Sequence, residues 1–137
     1  MIQEQLAFLP EFLPDYRPFP PAKERAAWQG LPLRVKQRFL QAGDAALQTP
    51  IAPLPLSLWL DFIHTGQRTP WEAAYFSRRA RLCALVCAEC VEHTGRFLDA
   101  IADTVWALCE ESAWQLPAHN SYIRDTPQLP LPDTTRP

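Results

Sequence analysis

Apolar positions along the chain recur at helical spacing and are punctuated by proline rather than glycine. The chain has fifteen prolines and four glycines. Thirteen of the prolines fall in three clusters, Pro10 to Pro21, Pro50 to Pro55 and Pro117 to Pro137, with Pro32 and Pro70 between them. Proline blocks a helix interior, so the proline-free stretches Ala22 to Gly30, Leu33 to Thr49 and Trp71 to Leu116 are where helices fit. No window alternates apolar and polar residues between turn signals, so little or no sheet is expected.

Within those stretches the pattern predicts an early helix over Leu33 to Leu47 and a shorter one over Leu56 to His64 before Thr65-Gly66. The clearest helix starts at Thr69-Pro70-Trp71-Glu72, with Thr69 as cap, Pro70 in the first helical position and Glu72 completing a capping box. It runs to about His93, with Gly95 as a left-handed stop. From Ala80 to Val91 it is apolar nearly all round, which predicts burial against several neighbours. A further helix is expected from Arg96 to Ala113, with Leu98, Ile101, Val105 and Leu108 as its core stripe and Ala102, Trp106 and Cys109 widening it. The short His93-Thr94-Gly95 link makes these two an antiparallel hairpin. The fold class is therefore all-α, helical hairpins joined by proline-bent connectors. From Pro117 to Pro137 the chain reads as an extended proline-rich tail. Leu129-Pro130-Leu131-Pro132 gains little unless it lies on something, so residues 1–137 are expected to be a partial domain.

Composition narrows the function classes. With 137 residues and 47% apolar content, the chain suits one folded domain and not a disordered segment. Thirteen basic and fifteen acidic residues are mixed along it for a net charge of −2, which argues against a nucleic-acid partner. Met1 to Pro10 carries Glu4, lacks a basic start and meets proline before any long apolar run, so no signal peptide is read there. No stretch approaches the ~20 apolar residues of a membrane span. The expected setting is cytoplasmic, with four reduced cysteines and no membrane partner.

Three groupings could carry chemistry. Cys83, Cys87 and Cys90 have the spacing C-x3-C-x2-C, which also holds iron–sulfur clusters in radical enzymes, and His93 adds a possible zinc ligand. At i, i+4 and i+7 of a helix among Leu and Val, core packing is the better reading, and no metal or cofactor is expected. Arg78, Arg79 and Arg81 suit carboxylate or sulfate, but pairing with Glu72, Asp99 or Asp103 is preferred. Glu110, Glu111 and His119 lie close in sequence around Trp114. Acids at a helix C-terminus oppose its dipole, so a partner or a functional reason is expected for them, and at most one of the two glutamates faces any one site.

The stretch Trp106-Ala107-Leu108-Cys109-Glu110-Glu111-Ser112-Ala113-Trp114-Gln115-Leu116-Pro117-Ala118-His119-Asn120 resembles the W-x-x-C-E-E-x-x-W-x-x-P-A-H-N pattern of heparinase II/III-like polysaccharide lyases. Arg78-Arg79, Ala88-Glu89-Cys90-Val91-Glu92, Gly95-Arg96-Phe97-Leu98-Asp99 and Leu129-Pro130-Leu131-Pro132-Asp133 are similar too. The resemblance covers Thr65 to Asp133 well and the first half more loosely. It implies the amino-terminal part of an incomplete (α/α) toroid, followed in longer relatives by further toroid helices and β-sandwich domains. It also implies β-elimination on an acidic, uronate-containing polysaccharide. Such chemistry needs Asn or His to neutralise the uronate carboxylate, and Tyr and His for proton transfer. The essential Tyr and a second His of the family belong to regions after those present here, and Tyr122 is not assigned that role.

Carried onto this chain, the resemblance makes His119 and Asn120 the catalytic candidates. Trp114, Glu110 and Glu111 become candidates for substrate contact, with Trp114 stacking on a sugar ring. The chain alone is expected to be inactive. Two other readings stay open: a stand-alone, non-catalytic helical module that binds a carbohydrate or a protein partner, and an iron–sulfur protein built on the three cysteines.

Overall fold

The structure is a computed structural model and describes residues 17–120, without the side chains of His119 and Asn120. Among these residues the elements are α1 (Arg25–Gln29), α2 (Leu33–Gln48), α3 (Leu56–Thr65), α4 (Thr69–Glu92), α5 (Leu98–Cys109) and a final 3-10 turn, Pro117–Asn120. There is no strand among them, so the chain is all-α as its periodicity predicts. Most of the expected tail, and Tyr122 with it, lies outside the described residues.

Proline and glycine set the helix limits. Pro32 occupies the cap position of α2, and Thr49 leaves that helix in an extended conformation because the residue before a proline is pushed out of the α region. The Thr49 hydroxyl turns back to donate to the Ala45 carbonyl at 2.8 Å. Pro55 is extended and opens α3. Gly66 closes it at φ +75, its N–H donating to the Phe62 carbonyl at 2.9 Å.

At α4 the expected capping box is replaced. Thr69 is the first helical residue, Arg68 takes the cap position, and no side chain caps the end. Glu72 instead faces the Arg68 guanidinium at 3.6 Å, one turn away. At the other end the left-handed stop is His93 (φ 59), two residues before Gly95, which is itself at φ 85. Both are needed to reverse the chain within so short a link. The buried Glu89 carboxylate then closes the turn, accepting from the backbone N–H of Gly95 at 2.8 Å and of Phe97 at 3.3 Å.

The core has two parts. In the first, Ala46, Leu85, Ala88 and Phe97 bring α2, α4 and the start of α5 together, with Leu40, Leu47, Ala84, Ala100 and Ile101 around them. The helices meet closely at Gly43, where a Cβ would stand 2.3 Å from the Ala88 Cβ and 3.0 Å from the Phe97 ring. In the second part Trp59, Trp71 and Tyr75 join α3 to the first half of α4, backed by Leu54, Leu58, Ile63, Ala113 and Leu116. Trp59 and Trp71 pack edge to face with ring centroids 5.0 Å apart. Arg25 ties α1 to the far end of α4, donating to the Cys90 and Val91 carbonyls at 2.6 and 2.9 Å. A guanidinium there satisfies free carbonyls and complements the negative end of the helix dipole.

Two burial expectations are corrected. α4 is not covered all round: Phe76, Cys83 and Val86 are exposed, and Cys87 and Cys90 are half-buried. α5 turns a different face inward from the one expected. Thr104 is fully buried, while Leu98, Val105 and Trp106 are exposed. The Thr104 hydroxyl is satisfied inside, donating to the Ala100 carbonyl at 2.6 Å and accepting from Arg81 Nε at 3.1 Å. That pairing removes the usual cost of burying a hydroxyl.

Candidate functional site

The helix α5 stops at Cys109, four residues before the expected end. Glu110 and Glu111 follow where a helix C-terminus disfavours acids, and the structure shows what draws the chain away. Glu111 turns inward until its side chain is only 1% exposed, between Arg78 and Arg79 of α4. Arg79 grips the carboxylate with both terminal nitrogens, at 3.2 and 2.7 Å, and Arg78 Nη1 adds a contact at 3.2 Å. Such forked, charge-assisted pairing is among the stronger polar contacts. The partners expected for these arginines, Glu72, Asp99 and Asp103, are not the ones found.

Each arginine does more than neutralise. Arg78 Nε donates to the Ala52 carbonyl at 2.7 Å and Nη1 to the Ala107 carbonyl at 3.3 Å. It therefore joins the connector before α3, the last turn of α5 and the segment beyond. Arg79 lies over the Tyr75 ring, 3.3 Å from its centroid, and donates to the Tyr75 carbonyl. The Tyr75 hydroxyl in turn donates to the Trp114 carbonyl at 2.9 Å. Arg81 points to a different place, donating to the Ala46 and Thr49 carbonyls at the end of α2.

These contacts leave a cleft of about 250 Å³ beside α4. Leu54, Leu56, Trp71 and Ala107 form its apolar part, and Arg78, Glu110, Glu111 and Ser112 its polar part. Trp114, two residues past Ser112, is 68% exposed on a backbone that Tyr75 holds. Glu110 is exposed and accepts a 2.7 Å bond from Trp106 Nε1. The two adjacent glutamates thus have opposite surroundings, one locked in the protein and one at the rim. His119 and Asn120 end the 3-10 turn that starts at the buried Pro117. The side chains of His119 and Asn120 lie outside the described part of the structure.

The thiols do not form a core. Cys83 and Cys109 are exposed, and Cys87 and Cys90 of α4 are half-buried. Burial, then the neighbouring Cys83 and Cys90, pushes the Cys87 thiol above its ordinary value. Burial also raises Cys90, against the pull of Arg25. Among the described residues no group of three or more His, Cys, Asp or Glu side chains is placed to hold a metal ion. No helix among them is long and apolar enough to cross a membrane.

Sequence reasoning found Glu110, Glu111 and Trp114 but missed Trp71, Tyr75 and Ala52 as parts of the same site. The one available signal was Glu111 itself, an acid misplaced at a helix end and therefore in want of a partner. No protein-family model matches the chain, and no curated protein matches it.

Proposed function

We propose that this chain is the amino-terminal helical portion of a heparinase II/III-like lyase, part of an (α/α) toroid, and that it binds an acidic, uronate-containing polysaccharide. Support comes from the W-x-x-C-E-E-x-x-W-x-x-P-A-H-N stretch together with one observation. The Arg78–Arg79–Glu111 cluster and the Tyr75–Trp114 bond fix the backbone that carries an exposed indole, two residues past Ser112 of the cleft. An exposed aromatic on a fixed backbone offers a flat apolar face on which a sugar ring stacks. In this reading Trp114 stacks and Glu110 meets hydroxyl groups at the rim. Glu111 acts on the substrate only through the arginines it positions.

β-Elimination neutralises the uronate carboxylate, removes the C5 proton and protonates the departing oxygen. His119 and Asn120 are the residues we assign to that chemistry, Asn120 for the carboxylate and His119 for a proton. The Tyr and second His of the family reaction would come from further toroid and β-sandwich regions, so we assign binding and not turnover to residues 1–137. A second reading is a helical module for a protein partner. It is favoured by the exposed apolar side chains Phe76, Val86, Leu98 and Val105 on the outward faces of α4 and α5.

The test is a tryptophan-fluorescence titration with a short hexuronate oligomer and with a neutral oligosaccharide of equal length. Saturable quenching by the acidic oligomer alone, abolished by Trp114→Ala with helicity unchanged, is the expected result. Equal silence towards both oligomers refutes the carbohydrate reading.

A further inference from the structure

The first turns of α2 carry an open groove of about 630 Å³, lined by Arg34, Val35, Arg38 and Phe39. Its cause is the way α2 meets α4. Gly43 lies against Ala88, and the Ala46 carbonyl accepts from Arg81, so the two helices run antiparallel. α4 ends at Glu92, four residues past Ala88, whereas α2 begins at Leu33, ten residues before Gly43. α2 therefore overhangs its partner by about 9 Å. Val35 and Phe39, at and beyond that end, are only half-buried.

The guanidiniums beside them are unpaired. Arg34 and Arg38 are exposed, and neither makes a hydrogen bond or ion pair among the described residues. Arg34 lies in the first turn of α2, which holds no acid, so its charge opposes the helix dipole. The surroundings deepen the imbalance, because residues 17–38 hold six basic side chains and one acidic one, Glu24. Arg25 is committed to the end of α4, and Lys36 donates to the Gln29 carbonyl. The complement of such a groove is an apolar segment that carries acids.

The chain itself holds one. Residues 1–16, outside the described structure, carry Glu4, Glu11 and Asp15 and no Lys or Arg. Ile2, Leu6, Leu9, Phe12 and Leu13 make the same segment strongly apolar. Residues 121–137 set Arg124 and Arg136 against Asp125 and Asp133, so charge does not draw them to this groove. Continuity favours the first segment as well. Arg17 faces Glu24 at 3.9 Å, the Pro21 carbonyl accepts from Trp28 at 3.2 Å, and α1 passes into α2 through Gly30, Leu31 and Pro32. Residues 1–16 thus join the described chain beside α1, next to the helix that bears the groove. We propose that they dock there, with their carboxylates on Arg34 and Arg38 and their apolar side chains on Val35 and Phe39. This docking is independent of the carbohydrate reading.

The test is fast hydrogen–deuterium exchange of the full chain, with a synthetic peptide of residues 1–16 as reference. Slower exchange over residues 2–13 in the chain than in the peptide is expected, independent of protein concentration. Arg34→Glu with Arg38→Glu should reduce that protection about tenfold, through the loss of two ion pairs. Acids suit the first turn of a helix, so α2 should survive the change, which circular dichroism checks. Adding Glu4→Lys and Glu11→Lys to that variant should restore the protection. Exchange over residues 2–13 as fast as in the peptide overturns the docking. So does protection that ignores charge reversal, or that grows with concentration and therefore belongs to contacts between copies. Should the arginine variant unfold, Glu4→Lys with Glu11→Lys in the otherwise unaltered chain decides, and undiminished protection there overturns the docking.

Discussion

Glu111 shows how much one side chain can settle. Its carboxylate is held by two guanidiniums and is almost without solvent, so removing it leaves two partly buried charges uncompensated. Breaking a buried pair in this way costs about 3–5 kcal/mol. Glu111→Ala should therefore lower the thermal midpoint by ten degrees or more, measured by circular dichroism, whereas Glu110→Ala at the exposed rim should change it little. Equal effects of the two would mean that the cluster does not hold the segment after α5.

The cysteines make a second residue-scale case. Burial and neighbouring thiols raise Cys87, so less of it is thiolate at any given pH, while Cys83 and Cys109 are exposed. Alkylation by iodoacetamide at neutral pH should label Cys83 and Cys109 before Cys87, and raising the pH should narrow the gap. Peptide mass spectrometry reads the order directly, and Cys87 labelling first would contradict this placement.

Between elements, the close approach of α2 and α4 depends on Gly43. Gly43→Ala puts a methyl group 2.3 Å from the Ala88 Cβ, an atom fixed to another helix, so the helices themselves must part. Overpacking of this kind costs about 1–3 kcal/mol. Chemical denaturation should show a lower midpoint with an unchanged slope, and an unaltered midpoint would mean that α2 and α4 are less tightly packed than described.

Much at this scale was legible in the sequence. Proline spacing and helical periodicity place α2, α3 and α4 to within a residue or so of their observed limits. α5 was harder for two physical reasons. Its apolar residues Leu98, Ile101, Val105 and Leu108 form one stripe about 80° wide, but the buried face is centred near Thr104, so the helix is rotated and Leu98 and Val105 are exposed at the stripe's outer edge. Its end is fixed by Glu111 reaching Arg79, 32 residues away in sequence, which no local signal reports. The same distance hid the assembly of the site. The motif from Trp106 to Asn120 stood out as a string, yet Ala52, Trp71 and Tyr75 join it only through folding.

Over the whole molecule, polar residues do two kinds of work. Arg25, Arg81 and Glu89 close helix ends and the α4–α5 turn with buried or half-buried hydrogen bonds. Arg78, Arg79 and Glu111 gather three separate segments around one cleft. Away from the cleft, α4 and α5 carry the apolar side chains Phe76, Val86, Leu98 and Val105 in the open. In the proposed reading, the first half of α4 and the segment after α5 form a ligand face, and the apolar outward side forms an assembly face.

Hydrogen–deuterium exchange of the full chain with and without a short hexuronate oligomer tests that division most directly. Slowed exchange is expected over residues 106–118 and the first half of α4, with α2 and the second, thiol-bearing half of α4 unchanged. Slowed exchange confined to α2, where Arg34, Val35, Arg38 and Phe39 line a separate open groove, or none anywhere, would contradict it.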